Sequence, residues 1–184
     1  MTSKTTVRNQ MPAVYNTVLV KFGWEYGSIN LDMGSGPYGR LSKRLNEVHS
    51  ITTYEYDPLW FDKDHNDKAL NSVLRKGGAD TITLSNVLNV IPKKSDRKEL
   101  MHLACLATKS TTRIYVHIYE GKGDNKCRKT KFGHQMNRKT YNYIREIRDM
   151  GFEKVVQYGQ NLIVVMRYAK YWPLDLPKHK AYLG

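Results

Sequence analysis

The pattern of apolar positions alternates along the chain between a helical repeat and short strand-like runs. Spacing typical of one helix face is found over 12–26, 39–48, 95–109 and 137–152. Short β-branched, aromatic or continuously apolar runs, typical of strands, lie at 28–34, 50–58, 81–85, 111–120 and 153–168. Gly159 interrupts the last run, which predicts two strands joined by a tight turn.

Residues at the ends of the helical stretches support their assignment. Pro12 suits a first helical turn, and Gly27 and Gly151 suit the ends of the first and last helices. Ser95 is the expected N-cap of the third helix, with Glu99 close to the capping-box position.

Strands that alternate with helices predict parallel β-α-β units with helices on both faces of one sheet. The closing pair of strands predicts that the last strand enters antiparallel. No internal repeat or linker divides the 184 residues, so we expect one α/β domain over 1–184. Its core is predicted at about 28–168, followed by a basic tail at 169–184.

Net charge narrows the choice of partners. The chain has 30 Lys and Arg against 17 Asp and Glu, a formal charge of +13. Such a surface attracts polyanions, and nucleic acid is the usual one, although basic charge also serves solubility.

Several classes of site and location are disfavoured. The two cysteines, 22 residues apart, show no metal-ligand spacing, which favours a reducing compartment, most simply the cytoplasm. No apolar run is long enough to span a membrane, and the first residues lack the apolar core of a signal peptide. The acidic run "DKDHND" lacks the glycine of an EF-hand, so no metal is expected.

The stretch "LDMGSGPYG", residues 31–39, carries the clearest chemical signal. Gly34, Gly36 and Gly39 have the G-x-G-x-x-G spacing of a nucleotide-binding turn, between a predicted strand and a predicted helix. Asp57 follows the next strand, 23 residues past Gly34, where a carboxylate can accept both hydroxyls of a ribose.

Asp32 helps to choose the ligand of this turn. A carboxylate there would repel the pyrophosphate of a dinucleotide, whereas S-adenosylmethionine has no phosphate and brings an ammonium group. Asp32 could also cap the turn through its own backbone. The charge pattern favours S-adenosylmethionine.

These motifs resemble those of the class I S-adenosylmethionine-dependent methyltransferases, over about residues 28–168. "LDMGSGPYG" is similar to their first motif, "TYEYDP" to their acid-ended second strand, and "ADTITLSNVLNVIP" to the strand that enters the active site. "SNVLNVI", "YEGKGD" and "GHQMN" together resemble a group of small methyltransferase-like proteins of phages and mobile elements.

The resemblance implies a Rossmann-like fold that binds S-adenosylmethionine. Asp32, Gly34 and Gly36 would hold its methionine end, Asp57 its ribose, with Glu55 as an alternative. The further residues expected at the cofactor are Tyr38, Tyr56, Pro58, Ser85, Asn86 and Val87.

The spacing after Asp57 departs from the family. Only 22 residues separate Asp57 from Asp80, where the family fits a helix, a third strand and an acid near the adenine amine. Asp62, Asp64 and Asp67 are candidates for that acid, but a solvated helix start explains them better.

Catalytic residues are harder to predict, because methyl transfer requires little beyond positioning. The chain lacks the Asn/Asp-Pro-Pro-aromatic motif of DNA amino-methylating enzymes and the Pro-Cys nucleophile of cytosine-C5 enzymes. The candidates are Asn86, Tyr119, His134 and Gln135, with Glu120 also at the expected strand end and His117 expected in the core.

Residues 120–139 form a glycine-bearing segment in which seven of the residues are Lys or Arg. It is expected as a flexible loop beside the transferable methyl group, or as a merely exposed basic loop. The residues predicted to contact an anionic substrate are Arg128, Lys129, Lys131 and Asn137.

The hypothesis is therefore an S-adenosylmethionine-dependent methyltransferase with an anionic substrate, nucleic acid first. Aminocarboxypropyl transfer and breakdown of the same cofactor are alternatives. A further alternative is a basic binding protein that keeps the fold without the activity, because fold does not determine function.

Overall fold

A computed structural model describes residues 10–130, 133–152 and 154–166 of the chain. The helices are α1 (Ala13–Lys21), α2 (Arg40–His49), α3 (Lys63–Arg75), α4 (Lys94–Leu106) and α5 (Thr140–Asp149). The strands are β1 (Ile29–Met33), β2 (Thr52–Tyr56), β3 (Ala79–Ser85), β4 (Thr108–His117), β5 (Cys127–Thr130), β6 (Gly133–Met136), β7 (Lys154–Tyr158) and β8 (Leu162–Met166). The predicted basic tail lies outside the described residues.

Six strands form one sheet in the order β2-β1-β3-β4-β8-β7. β1 pairs in parallel with β2 and β3, and β3 with β4, whereas β8 runs antiparallel to both of its neighbours. The predicted α/β fold, with a mostly parallel sheet and an antiparallel last strand, is confirmed. The carboxyl ends of the parallel strands share one edge, and that edge positions the site described below.

Helices cover both faces of the sheet. On one face, residues of α3, α4 and α5 pack on Leu31, Ile82 and Ile114, which alternate along their strands with residues of the other face. On the other face, α1 and α2 pack around Tyr115 and Val164. No helix in the described part of the chain is long and apolar enough to cross a membrane.

The connection from β2 to β3 is short and contains a single helix. α3 follows β2 and leads directly into β3, and every residue between the two strands is described. No further strand lies there, which explains the short spacing between Asp57 and Asp80. Asp62 is the N-cap of α3 and accepts a hydrogen bond from the His65 amide at 2.8 Å, as expected for a helix start.

Three local expectations need correction. α1 ends at Lys21 rather than near residue 26, because Gly23 has φ +72° and its amide donates to the Val18 and Leu19 carbonyls. Ser95 lies inside α4 and its hydroxyl donates to Asp96, so it is not the N-cap. Residues 120–139 were expected as a loop, but they contain the antiparallel hairpin β5–β6.

Candidate functional site

The glycine turn leads from β1 to α2 at the carboxyl edge of the sheet. Gly34 has φ +78°, and its amide donates to the Tyr56 carbonyl at 2.7 Å. A Cβ atom at Gly34 would lie 2.5 Å from a methyl carbon of Val87, so only glycine fits this close approach of the two loops. The Gly36 amide donates to Asp57 Oδ2 at 2.9 Å, which joins the turn to the end of β2.

Asp57 is buried, and both of its carboxylate oxygens accept backbone N–H groups. Oδ2 accepts from Gly36, and Oδ1 accepts from Leu59 at 2.9 Å. The buried Asn66 accepts from the Asp57 amide at 2.8 Å and donates to the carbonyls of Phe61 and Asp62. Asp57 therefore shapes the loop as well as lining the cavity, and Asn66, which sequence analysis missed, fixes that loop on α3.

Asp32 is buried at the end of β1, and its Oδ1 accepts a hydrogen bond of 2.8 Å from the Thr83 hydroxyl. Burial raises the pKa of Asp32 to about 7. The Thr83 bond opposes this rise, whereas the carboxylates of Glu55 and Asp57 add to it. A cation that entered the cavity would stabilise the ionised form of Asp32.

Asn86 follows β3 in the left-handed region, at φ +59°. Its backbone N–H donates to the His117 carbonyl at 2.8 Å, and its side-chain Oδ1 lies 3.1 Å from His117 Nδ1. Burial lowers the pKa of His117, so the imidazole is neutral and Nδ1–H donates to the carboxamide oxygen. The sequence predicted that His117 is a core histidine with a satisfied hydrogen bond. The structure identifies Asn86 as its side-chain partner.

A cavity of about 280 Å³ lies where these loops meet. Of the residues predicted to bind a cofactor, those that line it are Asp32, Gly34, Tyr38, Asp57, Pro58, Ser85, Asn86 and Val87. Gly36 and Tyr56 are not in this lining: the Gly36 amide is bound to Asp57, and Tyr56 packs in the core. The Ser85 hydroxyl is buried and has no hydrogen-bond partner among the described residues.

Sequence analysis missed part of the cavity wall. Arg40, at the start of α2, is the only cationic side chain among the described residues of the lining, and its guanidinium carbon lies 5.9 Å from the centre of the Tyr38 ring. The other lining residues are Gln10, Met11, Pro12, Ala13, Ser35, Leu59, Trp60, Val90, Ile91 and Leu100. The apolar spacing at the start of α1 was visible in the sequence, but its position over the cavity is a tertiary contact.

Only Asn86 among the candidate catalytic residues lines the cavity. Tyr119 follows β4 and is exposed, and the His134 and Gln135 side chains lie on β6. The Gln135 carboxamide accepts from Asn89 at 3.2 Å and donates to the Met136 carbonyl at 3.0 Å. The structure thus does not bring these three residues to the cavity, although Gln135 attaches the hairpin to the loop after β3.

The residues predicted to contact an anion lie in two different settings. Arg128 and Lys129 are exposed on β5, whereas Asn137 is buried and its backbone continues the pairing of the hairpin. Asn137 is therefore a structural residue of the hairpin base rather than a surface contact. Lys131 lies outside the described residues.

Glu120 turns away from the cavity and caps α5. Its carboxylate accepts from the Thr140 amide at 2.7 Å and from Lys139 Nζ at 3.0 Å. Burial alone would raise the pKa of Glu120, but these bonds and one from Gln160 outweigh it and lower the pKa to about 2. Glu120 therefore holds α5 in place and does not face the site.

A buried ion pair supports the loop after β3. Arg97 Nε and Glu146 Oε1 are 2.6 Å apart, and Arg97 also donates to the carbonyls of Ile91 and Pro92. A second bond joins Arg97 to Glu146 Oε2 at 3.0 Å, and Arg138 adds a third at 2.8 Å, which ties the hairpin side of the molecule to the same carboxylate. Since Ile91 lines the cavity, this network determines one of its walls.

The remaining acids serve other roles. The Glu55 Oε1 atom accepts from the Ser42 hydroxyl at 2.5 Å, and Glu55 does not line the cavity. Asp62 caps α3, and Asp67 forms an ion pair with Lys63. Within the described ranges, no three His, Cys, Asp or Glu side chains are grouped as metal ligands.

Solved structures with a similar fold include S-adenosylmethionine-dependent methyltransferases. A methyltransferase of this type from Clostridium acetobutylicum superposes with a TM-score of 0.52 and 13% identity, over 83% of this chain and 87% of the other. The 1,6-didemethyltoxoflavin-N1-methyltransferase of Burkholderia thailandensis, crystallised with S-adenosylhomocysteine, gives 0.58 and 12%, over 83% and 74%. The sugar N-methyltransferase KedS8 of Streptoalloteichus gives 0.52 and 11%, over 91% and 98%.

No protein-family profile matches the sequence, and no curated protein sequence is significantly similar to it. At 11–13% identity the structural likeness concerns the fold. On that ground, the chain has the Rossmann-like fold of the class I S-adenosylmethionine-dependent methyltransferases.

Proposed function

We propose that this chain is a methyltransferase that uses S-adenosylmethionine. The observation that carries the proposal is the cavity at the carboxyl edge of the sheet, where the glycine turn, Asp32 and the loop after β3 meet. The fold comparison supports the same cofactor, because one of the similar enzymes was crystallised with S-adenosylhomocysteine.

The charges of the cavity suit this cofactor. Asp32 would accept the ammonium group, and Arg40 would pair with the carboxylate of the methionine moiety. Two carboxylates in the lining disfavour a ligand with phosphates there. Leu59 and Trp60 offer apolar surface for the adenine, and Asp57 stands where the ribose hydroxyls are expected.

When bound, S-adenosylmethionine supplies an electrophilic methyl group for in-line displacement by a nucleophile of the substrate. The chain's own contribution is to orient the reactants and to exclude water. Val87, Val90 and Ile91 form an apolar wall, and Ser85 and Asn86 add two polar groups at the end of β3. Both polar groups are available to orient the methyl acceptor.

Calorimetric titration with S-adenosylmethionine and S-adenosylhomocysteine tests the proposal. Trp60→Ala is expected to weaken binding about tenfold, because stacking of a base on an aromatic ring is worth about 1–3 kcal/mol. The exposed Tyr26, which is absent from the cavity lining, provides the control Tyr26→Ala. No binding of either compound to the folded wild-type protein would overturn the proposal.

Product analysis separates the alternatives within the same cofactor chemistry. Methyl transfer leaves S-adenosylhomocysteine, whereas aminocarboxypropyl transfer leaves methylthioadenosine. Breakdown of the cofactor releases fragments without a modified acceptor. Binding with no product of any kind would favour a protein that keeps the fold without the activity.

We further propose that the substrate is an anionic molecule, nucleic acid first, bound in part by the hairpin β5–β6. The exposed cations of this region are Lys122, Lys126, Arg128 and Lys129. The bond between Gln135 and Asn89 places the hairpin beside the turn that carries the cavity residue Val90. The cations would then contact phosphates while the reacting group enters the cavity.

Binding of a labelled 20-nucleotide RNA or DNA over a range of salt concentrations tests this role. The double variant Arg128→Ala/Lys129→Ala should reduce the slope of log affinity against log salt by about 1.4–1.8, since each phosphate contact contributes about 0.7–0.9. Arg75→Ala/Lys76→Ala removes the same charge at the end of α3, on the opposite edge of the sheet. Equal slopes for the two double variants would exclude the hairpin as the phosphate contact.

The sequence has two cysteines without metal-ligand spacing, which is typical of a reducing compartment, and we propose the cytoplasm on that basis.

A further inference from the structure

A row of polar side chains crosses from β3 to β1 on the face of the sheet covered by α1 and α2. The Thr81 hydroxyl donates to Asn30 Oδ1 at 2.9 Å, and Asn30 Nδ2 donates to Thr83 Oγ1 at 3.2 Å. The Thr83 hydroxyl in turn donates to Asp32 Oδ1 at 2.8 Å. Asn30 and Thr83 have no exposed surface, so the row is internal and ends at the cavity.

The order of donors in this row follows from the chemistry of its members. A threonine hydroxyl has one proton, and Thr83 Oγ1 already accepts from the Asn30 amide. Its proton is therefore directed to Asp32 Oδ1. An ionised carboxylate accepts this hydrogen bond more strongly than a protonated carboxyl group does. The row stabilises the charged form of Asp32 and fixes the plane of its carboxyl group.

The other face of the same strands shows what this sheet needs for stability alone. Leu31, Met33, Ile82 and Leu84 alternate with the polar row and form the apolar core beneath α3 and α4. Apolar side chains in place of Asn30 and Thr83 would bury without any hydrogen-bond requirement. The polar row thus serves Asp32 rather than the packing of the sheet.

We propose that Thr83 and Asn30 are positioning residues, which keep the Asp32 carboxylate ionised and oriented to receive the ammonium group of S-adenosylmethionine. The inference rests on the proposed function, because it takes this cofactor as the ligand of the cavity. It assigns a role in cofactor binding to two residues that do not line the cavity.

Two charged groups near Asp32 oppose its ionisation. Glu55 on β2 and Asp57 after it both disfavour ionisation of Asp32. Arg40, at the start of α2, is the cation that lines the same cavity. Of the described residues at and before the start of α1, Gln10, Met11, Pro12 and Ala13 line the cavity, and none of these titrates. Among the described residues, Thr83 is thus the hydrogen-bond donor that favours the charged form of the Asp32 carboxylate.

Thr83→Val tests the proposal, because it removes the donor and keeps the shape of the side chain. The control is Thr53→Val on β2, which lies opposite Asn30 in the sheet and whose hydroxyl has no partner among the described residues. S-adenosylhomocysteine is the probe, since it carries the ammonium group, and its affinity is measured from pH 5.5 to 8.5.

Wild-type protein should bind the probe more tightly as pH rises through about 7, where Asp32 ionises. Thr83→Val should move this midpoint upward by about one pH unit, which makes binding about tenfold weaker at pH 6 and leaves it nearly unchanged at pH 8.5. The ligand's own amino group titrates identically in all proteins. A general structural loss would instead weaken binding equally at every pH.

A second readout needs no ligand. The carboxyl ¹³C resonance of Asp32 should titrate near 7 in the wild-type and Thr53→Val proteins and about one unit higher in Thr83→Val. An unchanged midpoint in Thr83→Val overturns the inference, whether or not the probe binds. Absence of binding with a shifted midpoint would overturn the proposed function and leave the role of Thr83 intact.

Discussion

The Gly36 amide and Asp57 Oδ2 are 2.9 Å apart, so the glycine turn is held by the same carboxylate that lines the cavity. The second oxygen of Asp57 holds Leu59 in the next loop. One side chain thus joins two of the loops that form the site, and its loss should affect folding and binding together.

Asp57→Ala should lower the free energy of unfolding by about 3 kcal/mol, because hydrogen bonds to a charged group contribute about 1.5–3 kcal/mol each. Asp57→Asn should show an intermediate loss, since it keeps one acceptor oxygen. Asp62→Ala is the comparison: its carboxylate caps α3 and its removal should cost about 1 kcal/mol. Urea denaturation measures all three, and a loss at Asp57 no larger than at Asp62 would contradict this assignment.

Asn86 should tolerate glycine better than alanine. Both substitutions remove the side-chain bond to His117 Nδ1, but only alanine retains a Cβ atom at φ +59°. We expect Asn86→Ala to be about 1 kcal/mol less stable than Asn86→Gly. Thermal unfolding of the two variants measures the difference, and equal stabilities would show that the left-handed backbone does not persist.

The buried pair Arg97–Glu146 should contribute far more than an exposed pair. Arg97→Met leaves the carbonyls of Ile91 and Pro92 without their donor and should cost about 3 kcal/mol. Lys94→Ala breaks the exposed pair with Asp149, at 3.5 Å, and should cost less than about 0.5 kcal/mol. Because Ile91 lines the cavity, Arg97→Met should also weaken binding of S-adenosylhomocysteine, whereas Lys94→Ala should not.

Asp32 should make the ligand-free protein less stable as pH rises. Its pKa in the folded protein, about 7, lies above the ordinary value of 3.8, so the folded state binds the proton more tightly than the unfolded state. The stability due to this proton is complete below about 3.8 and is lost as pH rises through 7. At pH 8 the cost is on the order of 4 kcal/mol.

Asp32→Asn should therefore raise the melting temperature of the ligand-free protein at pH 8 and have much less effect at pH 5. The asparagine oxygen still accepts from Thr83, so packing is preserved. The same variant should bind S-adenosylhomocysteine poorly at both values of pH. A variant less stable than the wild type at pH 8 would show that burial of the charge is not costly.

The sheet could be predicted because its signals are local. Strand and helix periods, the glycine turn and the acid after β2 are all read within short windows, and the short spacing before Asp80 was recognised as a departure from the family. The hairpin β5–β6 was not predicted from these local signals. Its segments "CRKT" and "GHQM" are largely polar and lack an apolar alternation, and the Gln135–Asn89 bond is among the contacts that attach the hairpin to the domain.

The residues in and around the cavity also divide into those that local motifs predict and those that only the fold brings together. Asp32, Gly34 and Val87 belong to motifs and were predicted, and they line the cavity. Arg97 and Glu146 were not predicted, because 49 positions separate them and neither lies in a recognisable pattern. The polar row from Thr81 to Asp32 was hidden for a related reason: threonine and asparagine in a strand look like solvent-facing residues until the helix that covers them is known.

The position of β8 between β4 and β7 has a consequence for the order of folding. β4 has an open edge until residues 162–166 have been synthesised, and β7 pairs with β8 alone among the described strands. The amino-terminal half, with its local β-α-β units, can collapse early, but β7 joins the sheet only after β8 inserts. We expect the sheet to be completed only when β8 inserts. A chain stalled before β8 would therefore expose the unpaired edge of β4 to chaperones and proteases.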